Sequence, residues 1–282
     1  MYKSDAIYEI LKINTSQEAL DWLNNRIVGL TTTASAKDLF MSYSLLAAKF
    51  NKTAALDYGN ESDVTVSYFK SHGADLLQVA RIYLLCKVLE TNPEFYTKEV
   101  AKIIEVADTT ELETFLRYLT ILPESESFKH AAVEALRTNI SIVFDAITLN
   151  NQYPAIYFND QQWNQMYLKA AFMERDLSMI QSVDERANAD LTRIISDYAH
   201  ERWAASRKID PMFWRPVSKF MDDTLRSDME RLLTSEDPIE NKAGALCCYF
   251  SEDKEALALL AKYQELKEQV ASGKLTWNTL KK

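Results

Sequence analysis

Glycine and proline are scarce, with 5 and 6 in 282 residues. A β-sandwich or barrel needs many more turn residues, so those classes are excluded. No G-x-G-x-x-G and no P-loop occurs, which removes the usual phosphate-cradling βα unit. Cysteine is nearly absent too: Cys86, Cys247 and Cys248 are the only three. They lie in apolar helical runs and form no C-x-x-C, as expected of reduced, buried thiols. Positive charge is in deficit, 32 basic against 41 acidic groups, for a net charge of −9. Polyanion binders carry a basic surface, so nucleic acid is not an expected partner. No apolar run approaches a bilayer-spanning length, and Lys3, Asp5 and Glu9 interrupt the N-terminal stretch. Membrane insertion is therefore not expected, and a cytoplasmic location is. There is no G-x-S-x-G elbow, no Cys–His pairing and no H-E-x-x-H.

What is present is helix-forming. Apolar residues make up 47% and charged residues 26%, the balance of a folded globular chain. Helix starts are marked by Thr15 or Ser16, Ser35, Asn92-Pro93, Asp108 or Thr109, Asn159 or Asp160, Asp210-Pro211, Glu236-Asp237-Pro238 and Ser251-Glu252-Asp253, each a capping signal before an apolar-periodic run. One long helix is expected from Ser125 or Ser127 through Leu149. Two helical hairpins are expected, Leu112–Leu122 with Ala131–Leu149 and Leu225–Leu233 with Ala243–Phe250. Pro216 should shorten or kink the helix that Asp210-Pro211 opens. Residues after Gly273 read as a tail. The expected fold is all-α, one domain over residues 1–282. It would be an irregular stack of antiparallel helix pairs in the manner of HEAT or TPR superhelices, with a compact helical bundle as the alternative.

Polar residues fall where helical periodicity asks for apolar ones. Asn139 shares a face with Phe128, Ala132, Ala135, Ile142 and Val143, and Arg137 lies at its margin. Asn164 and Lys169 sit among the apolar positions of the helix after Asn159. Arg202 continues a stripe of Leu191, Ile194, Ile195 and Tyr198, and Trp203 stands one turn from Arg207, a cation–π spacing. A buried guanidinium without partners costs several kcal/mol, so Arg202 requires an anion, from Glu201, Asp184, Glu185 or a ligand. The expectation is that Arg137, Asn139, Asn164, Lys169, Arg186, Asn188, His200, Glu201, Arg202 and Arg207 converge. They would form either a network that fixes helix register or a polar binding pocket. Asp197, His200 and Glu201 have the i, i+3, i+4 spacing of ligands on one helix. Position 204 is alanine, however, and no metal or cofactor is expected.

The same residues carry a resemblance. Glu134-Ala135-Leu136-Arg137-Thr138-Asn139, Asn150-Asn151-Gln152-Tyr153-Pro154-Ala155, Trp163-Asn164-Gln165-Met166, Asp184-Glu185-Arg186-Ala187-Asn188 and Tyr198-Ala199-His200-Glu201-Arg202-Trp203 resemble the EboA-domain family of bacterial proteins. The likeness spans about 108–220. Gln152 stands where the family pattern leads one to expect proline. The resemblance implies a place in a bacterial gene cluster that makes or exports a small secondary metabolite. The other members of such a cluster look like a membrane prenyltransferase, metal-dependent hydrolases and sugar-phosphate-type isomerases. It implies no established reaction for this member. The expected function is thus a non-catalytic binding or accessory protein, recognising a small polar or anionic metabolite or another protein of the cluster. Two alternatives stand beside it: an enzyme using His200 and Glu201 as acid and base, and a pure protein-interaction scaffold.

Overall fold

The computed structural model describes residues 3–53, 55–59 and 62–280. Those residues form α-helices and short 3₁₀ segments with no strand among them, so the fold is all-α. They gather into two compact units, Met1–Tyr153 and Pro154–Lys282.

The first unit holds α1 (Lys3–Asn14), α2 (Gln17–Thr33), α3 (Ala36–Leu45), α4 (Val64–Ser71), α5 (Leu76–Thr91), α6 (Pro93–Ala101), α7 (Ile103–Val106), α8 (Thr109–Arg117), α9 (Lys129–Ala135) and α10 (Ser141–Thr148). Its core is built on α5, apolar on every side and buried at twelve of its sixteen positions. A helix with no polar face must be surrounded, and α1, α2, α6 and α8 pack on it. Arg81 is the exception on that helix. Its Nη2 lies 3.5 Å from Glu111 Oε1, and its guanidinium stacks 5.3 Å from the Tyr43 ring centre.

The long helix expected through residue 149 is broken. Arg137 and Thr138 N–H turn back to the Glu134 and Ala135 carbonyls, tightening the chain to i−3 bonds. The Thr138 hydroxyl then accepts the Ile140 N–H at 3.0 Å, diverting that donor from the helical ladder. Asn139 therefore sits in an exposed link between α9 and α10 and not on a buried helical face. The hairpin partner of α8 is α10.

After the short α11 (Tyr153–Tyr157), the second unit holds α12 (Asp160–Phe172), α13 (Ala189–Ala204), α14 (Asp223–Leu233), α15 (Pro238–Tyr249), α16 (Lys254–Leu260) and α17 (Gln264–Ala271). The expected hairpin of α14 and α15 forms. Its close approach depends on Gly244, where a Cβ would come within 3.0 Å of Leu232 Cβ. Asp210 and Pro211 open a ten-residue 3₁₀ segment, Pro211–Phe220, with Pro216 inside it. The proline's missing N–H and fixed φ suit that tighter winding. This segment packs against α13 and, most extensively, α15. The chain end departs from the expected tail: Leu275, Trp277 and Leu280 are buried, and Trp277–Leu280 is a 3₁₀ turn.

Candidate functional site

The second unit is organised by the five residues Asp184–Asn188, and three alternate positions do the joining. Asn188 caps α13 by accepting the Leu191 N–H at 2.9 Å. It also exchanges a pair of amide bonds with buried Asn164: Asn164 Nδ2 donates to Asn188 Oδ1 at 3.0 Å, and Asn188 Nδ2 returns a bond to Asn164 Oδ1 at 2.9 Å. Arg186 donates to the carbonyls of Pro154 and Ala155 in α11 and of Phe158 just past its end. Its Nη2 also reaches Asp160 Oδ1 at 3.2 Å, and its plane lies 4.9 Å from the Trp163 ring centre. Asp184 accepts both N–H bonds of a two-pronged Arg215 guanidinium, from Nε at 2.8 Å and Nη2 at 2.6 Å. That fork raises the Arg215 pKa above its ordinary value.

Beside this segment lies a cavity of about 290 Å³. Its polar side is Asp184, Arg215 and Lys219, and its apolar side is Pro216, Phe250 and Trp277. Ala187 and Ser218 complete it. The 3₁₀ winding of Pro211–Phe220 sends Arg215, Pro216, Ser218 and Lys219 to one place. Lys219 Nζ donates to the Asp184 carbonyl at 3.2 Å and pairs with no carboxylate among the described residues. Hollows also occur in the first unit, of about 220 Å³ beside Tyr43 and Glu111 and about 460 Å³ beside Glu134 and Ile140.

The residues singled out in the sequence divide sharply. Asn164, Asn188 and Arg186 do come together, but their hydrogen bonds are made to the protein itself. Arg202 does not join them. It is half-buried rather than a core residue, and both its Nε and Nη2 donate to the Lys208 carbonyl, at 3.1 and 2.6 Å. The reason is a rotation of α13: its buried face runs through Thr192, Ile195, Ser196 and Ala199, not through Ile194, Tyr198 and Arg202. The helix also stops at Ala204, and the chain turns back so that the Lys208 carbonyl comes within reach of the Arg202 guanidinium. Glu201 and Arg207 are exposed. Trp203 takes its cation from Arg231, 4.3 Å from its ring centre, instead of Arg207, and stacks on Trp214 with its other neighbour. Lys169 is half-buried, and burial pulls its ammonium pKa down. In the first unit, Arg137 is 77% exposed, just past the end of α9, and pairs with Glu134 in the last turn of that helix.

His200 finds a partner that helical spacing could not supply. Its Nε2 lies 2.6 Å from Oδ1 of buried Asp228 on α14, whose Oδ2 accepts the Ser196 hydroxyl at 2.6 Å. Asp197 instead pairs with Arg193. The Asp197, His200 and Glu201 set is thus dispersed, and no group of three His, Cys, Asp or Glu side chains among the described residues is arranged for a metal. Burial drives the Cys247 thiol pKa far up and that of Cys248 to about 12, so neither is a poised nucleophile. The cavity residues had one faint sequence signal: Pro216 marked a short or kinked piece of chain, and Arg215, Ser218 and Lys219 flank it.

The fold and cavity define an all-α protein whose second unit encloses a small pocket with one charged and one aromatic wall. The chain belongs to the EboA family: the family model described as metabolite traffic protein EboA matches residues 3–218. That match begins well before the 108–220 stretch, and it takes in Asp184, Arg215 and Ser218 while leaving Lys219, Phe250 and Trp277 beyond its end. Searches of curated proteins and of solved structures return no significant match. No helix among the described residues is long and apolar enough to cross a membrane.

Proposed function

We propose that this chain is a non-catalytic binding protein for a small metabolite, which it holds in the cavity of its second unit. The observation that carries the reading is the two-sided lining, with Arg215, Asp184 and Lys219 facing Pro216, Phe250 and Trp277. Sites for small organic ligands are mostly apolar with a few fixed polar groups that set orientation, and the description of the family as metabolite traffic proteins points the same way. The carboxylate of the lining, Asp184, is engaged through both oxygens by Arg215, which fits an orienting role. Arg186 and Asn188 serve as positioning residues, locking the segment that presents Asp184. The test fills the cavity: Ala187→Phe should abolish metabolite binding, measured by calorimetry, while helicity by circular dichroism is unchanged. Undiminished binding in that variant rejects this site.

A second reading rests on the His200–Asp228 pair. A half-exposed imidazole oriented by a buried carboxylate is the arrangement of a general base, with Asp228 as the orienting group. Here His200→Gln should remove a measurable turnover while leaving ligand affinity intact. A ligand returned chemically unchanged by the native chain decides against it.

A further inference from the structure

We infer that the ligand of this cavity is a small monoanion with a flat apolar body, of the aryl carboxylate class. The inference rests on the binding role proposed above and goes on to specify the chemistry.

The polar wall carries an excess of donors. Arg215 spends Nε and one Nη2 bond on Asp184, and its Nη1 edge has no partner among the described residues. Lys219 spends a single N–H on the Asp184 carbonyl, out of the three an ammonium carries. Each Asp184 oxygen already accepts one bond from Arg215. The spare donors of Arg215 and Lys219 favour a ligand group that accepts hydrogen bonds. Charge adds a sign: Asp184 and Arg215 cancel, and Lys219 leaves one positive charge in the lining. Glu185 is exposed and near Arg215, but it does not line the cavity. A carboxylate bridging Arg215 Nη1 and Lys219 Nζ satisfies both conditions.

The opposite wall asks for a ring. The two other well-placed indoles of this unit already have cations, Arg186 over Trp163 and Arg231 over Trp203. Trp277 makes no ring or cation contact among the described residues, and Phe250, 53% exposed, stands beside it in the lining. A flat apolar ligand would cover both. An apolar cavity of about 150 Å³ accommodates one benzene, so the 290 Å³ here suits two fused rings with a small head group.

The probes are 2-naphthoate and its neutral isostere 2-naphthamide, titrated calorimetrically into the full chain. Naphthoate should bind about tenfold tighter than the amide, the scale of one charge-assisted hydrogen bond. Lys219→Gln should erase that difference by weakening naphthoate alone, and Phe250→Ala should weaken both probes. Equal affinity for the two probes, or an unaltered preference in Lys219→Gln, overturns the anion assignment and leaves the binding role standing. If neither probe binds, or if both still bind to Ala187→Phe, the cavity reading fails with it.

Discussion

Arg81 and Arg215 each face a carboxylate, one in each unit, and their surroundings separate two uses of the same chemistry. Arg81 is 3% exposed and Glu111 7%, and Arg81 lines none of the three cavities. Its other contacts are the Thr110 carbonyl at 3.3 Å and the Tyr43 ring. Arg215 is 22% exposed and Asp184 45%, and the fork between them lies open to the cavity. A buried charge with poor access to water is tolerated only for its partners. A half-open charge whose pairing is already ideal has donor edges to spare. The first arrangement fixes α5 against α8, whereas the second is available to a ligand.

The sharpest break of that comparison is Arg81→Met. It strands the Glu111 carboxylate in the core, and urea denaturation should register a loss of about 3–5 kcal/mol. Arg215→Met should cost roughly 1 kcal/mol or less, because Asp184 can turn to water. Equal losses at the two sites would show that exposure does not distinguish them.

Gly244→Ala comes next. Alanine favours a helix by about 1 kcal/mol over glycine, yet its Cβ would meet Leu232 Cβ at 3.0 Å, Leu233 Cγ at 3.3 Å and the Leu233 backbone nitrogen at 3.4 Å. Part of that contact is backbone and cannot swing aside. Overpacking by one methyl commonly costs about 1–3 kcal/mol, so the thermal midpoint should fall. A rise would mean that α14 and α15 have room to part.

Asn164→Leu probes the sealed amide pair of the second unit in the same way. Removing one partner leaves the Asn188 Nδ2 bond with only the Arg186 carbonyl at 3.2 Å and a cap to maintain. A loss of about 1–3 kcal/mol is expected from the unsatisfied amide.

The helix starts were legible because caps are local. Ser16, Ser35, Asn92, Asp108, Asn159, Asp210, Asp237 and Asp253 all cap the helices that they precede. Buried Asn164 was legible too, since a wide apolar arc left it nowhere else to go. What one helix cannot encode is its rotation about its own axis once its neighbours are in place. Ser196 faces inward because Asp228 waits there, thirty-two residues on, and that turn carries Arg202 off the core. The break at 136–140 was missed because apolar periodicity continues across it while Thr138 and the i−3 bonds undo the helix. The cavity itself was least legible. Asp184, Arg215, Phe250 and Trp277 come from four separate stretches that only the tertiary packing unites.

Arg202→Ala should have the smallest effect, and it separates the rotated helix from the expected one. Had Arg202 stood in the core with an anionic ligand, its loss would abolish binding and leave a buried hole. In the structure its Nε and Nη2 donate to the Lys208 carbonyl in the loop after α13, and its guanidinium lies 5.9 Å from the Tyr198 ring centre. Alanine gives up a half-exposed loop contact that water can replace, worth about 0.5–1 kcal/mol. The naphthoate affinity should be unaltered, since no Arg202 atom lines the cavity. Urea denaturation and the same titration check both halves. A variant that folds normally but loses naphthoate would return Arg202 to the site and remove the case for Arg215 and Lys219.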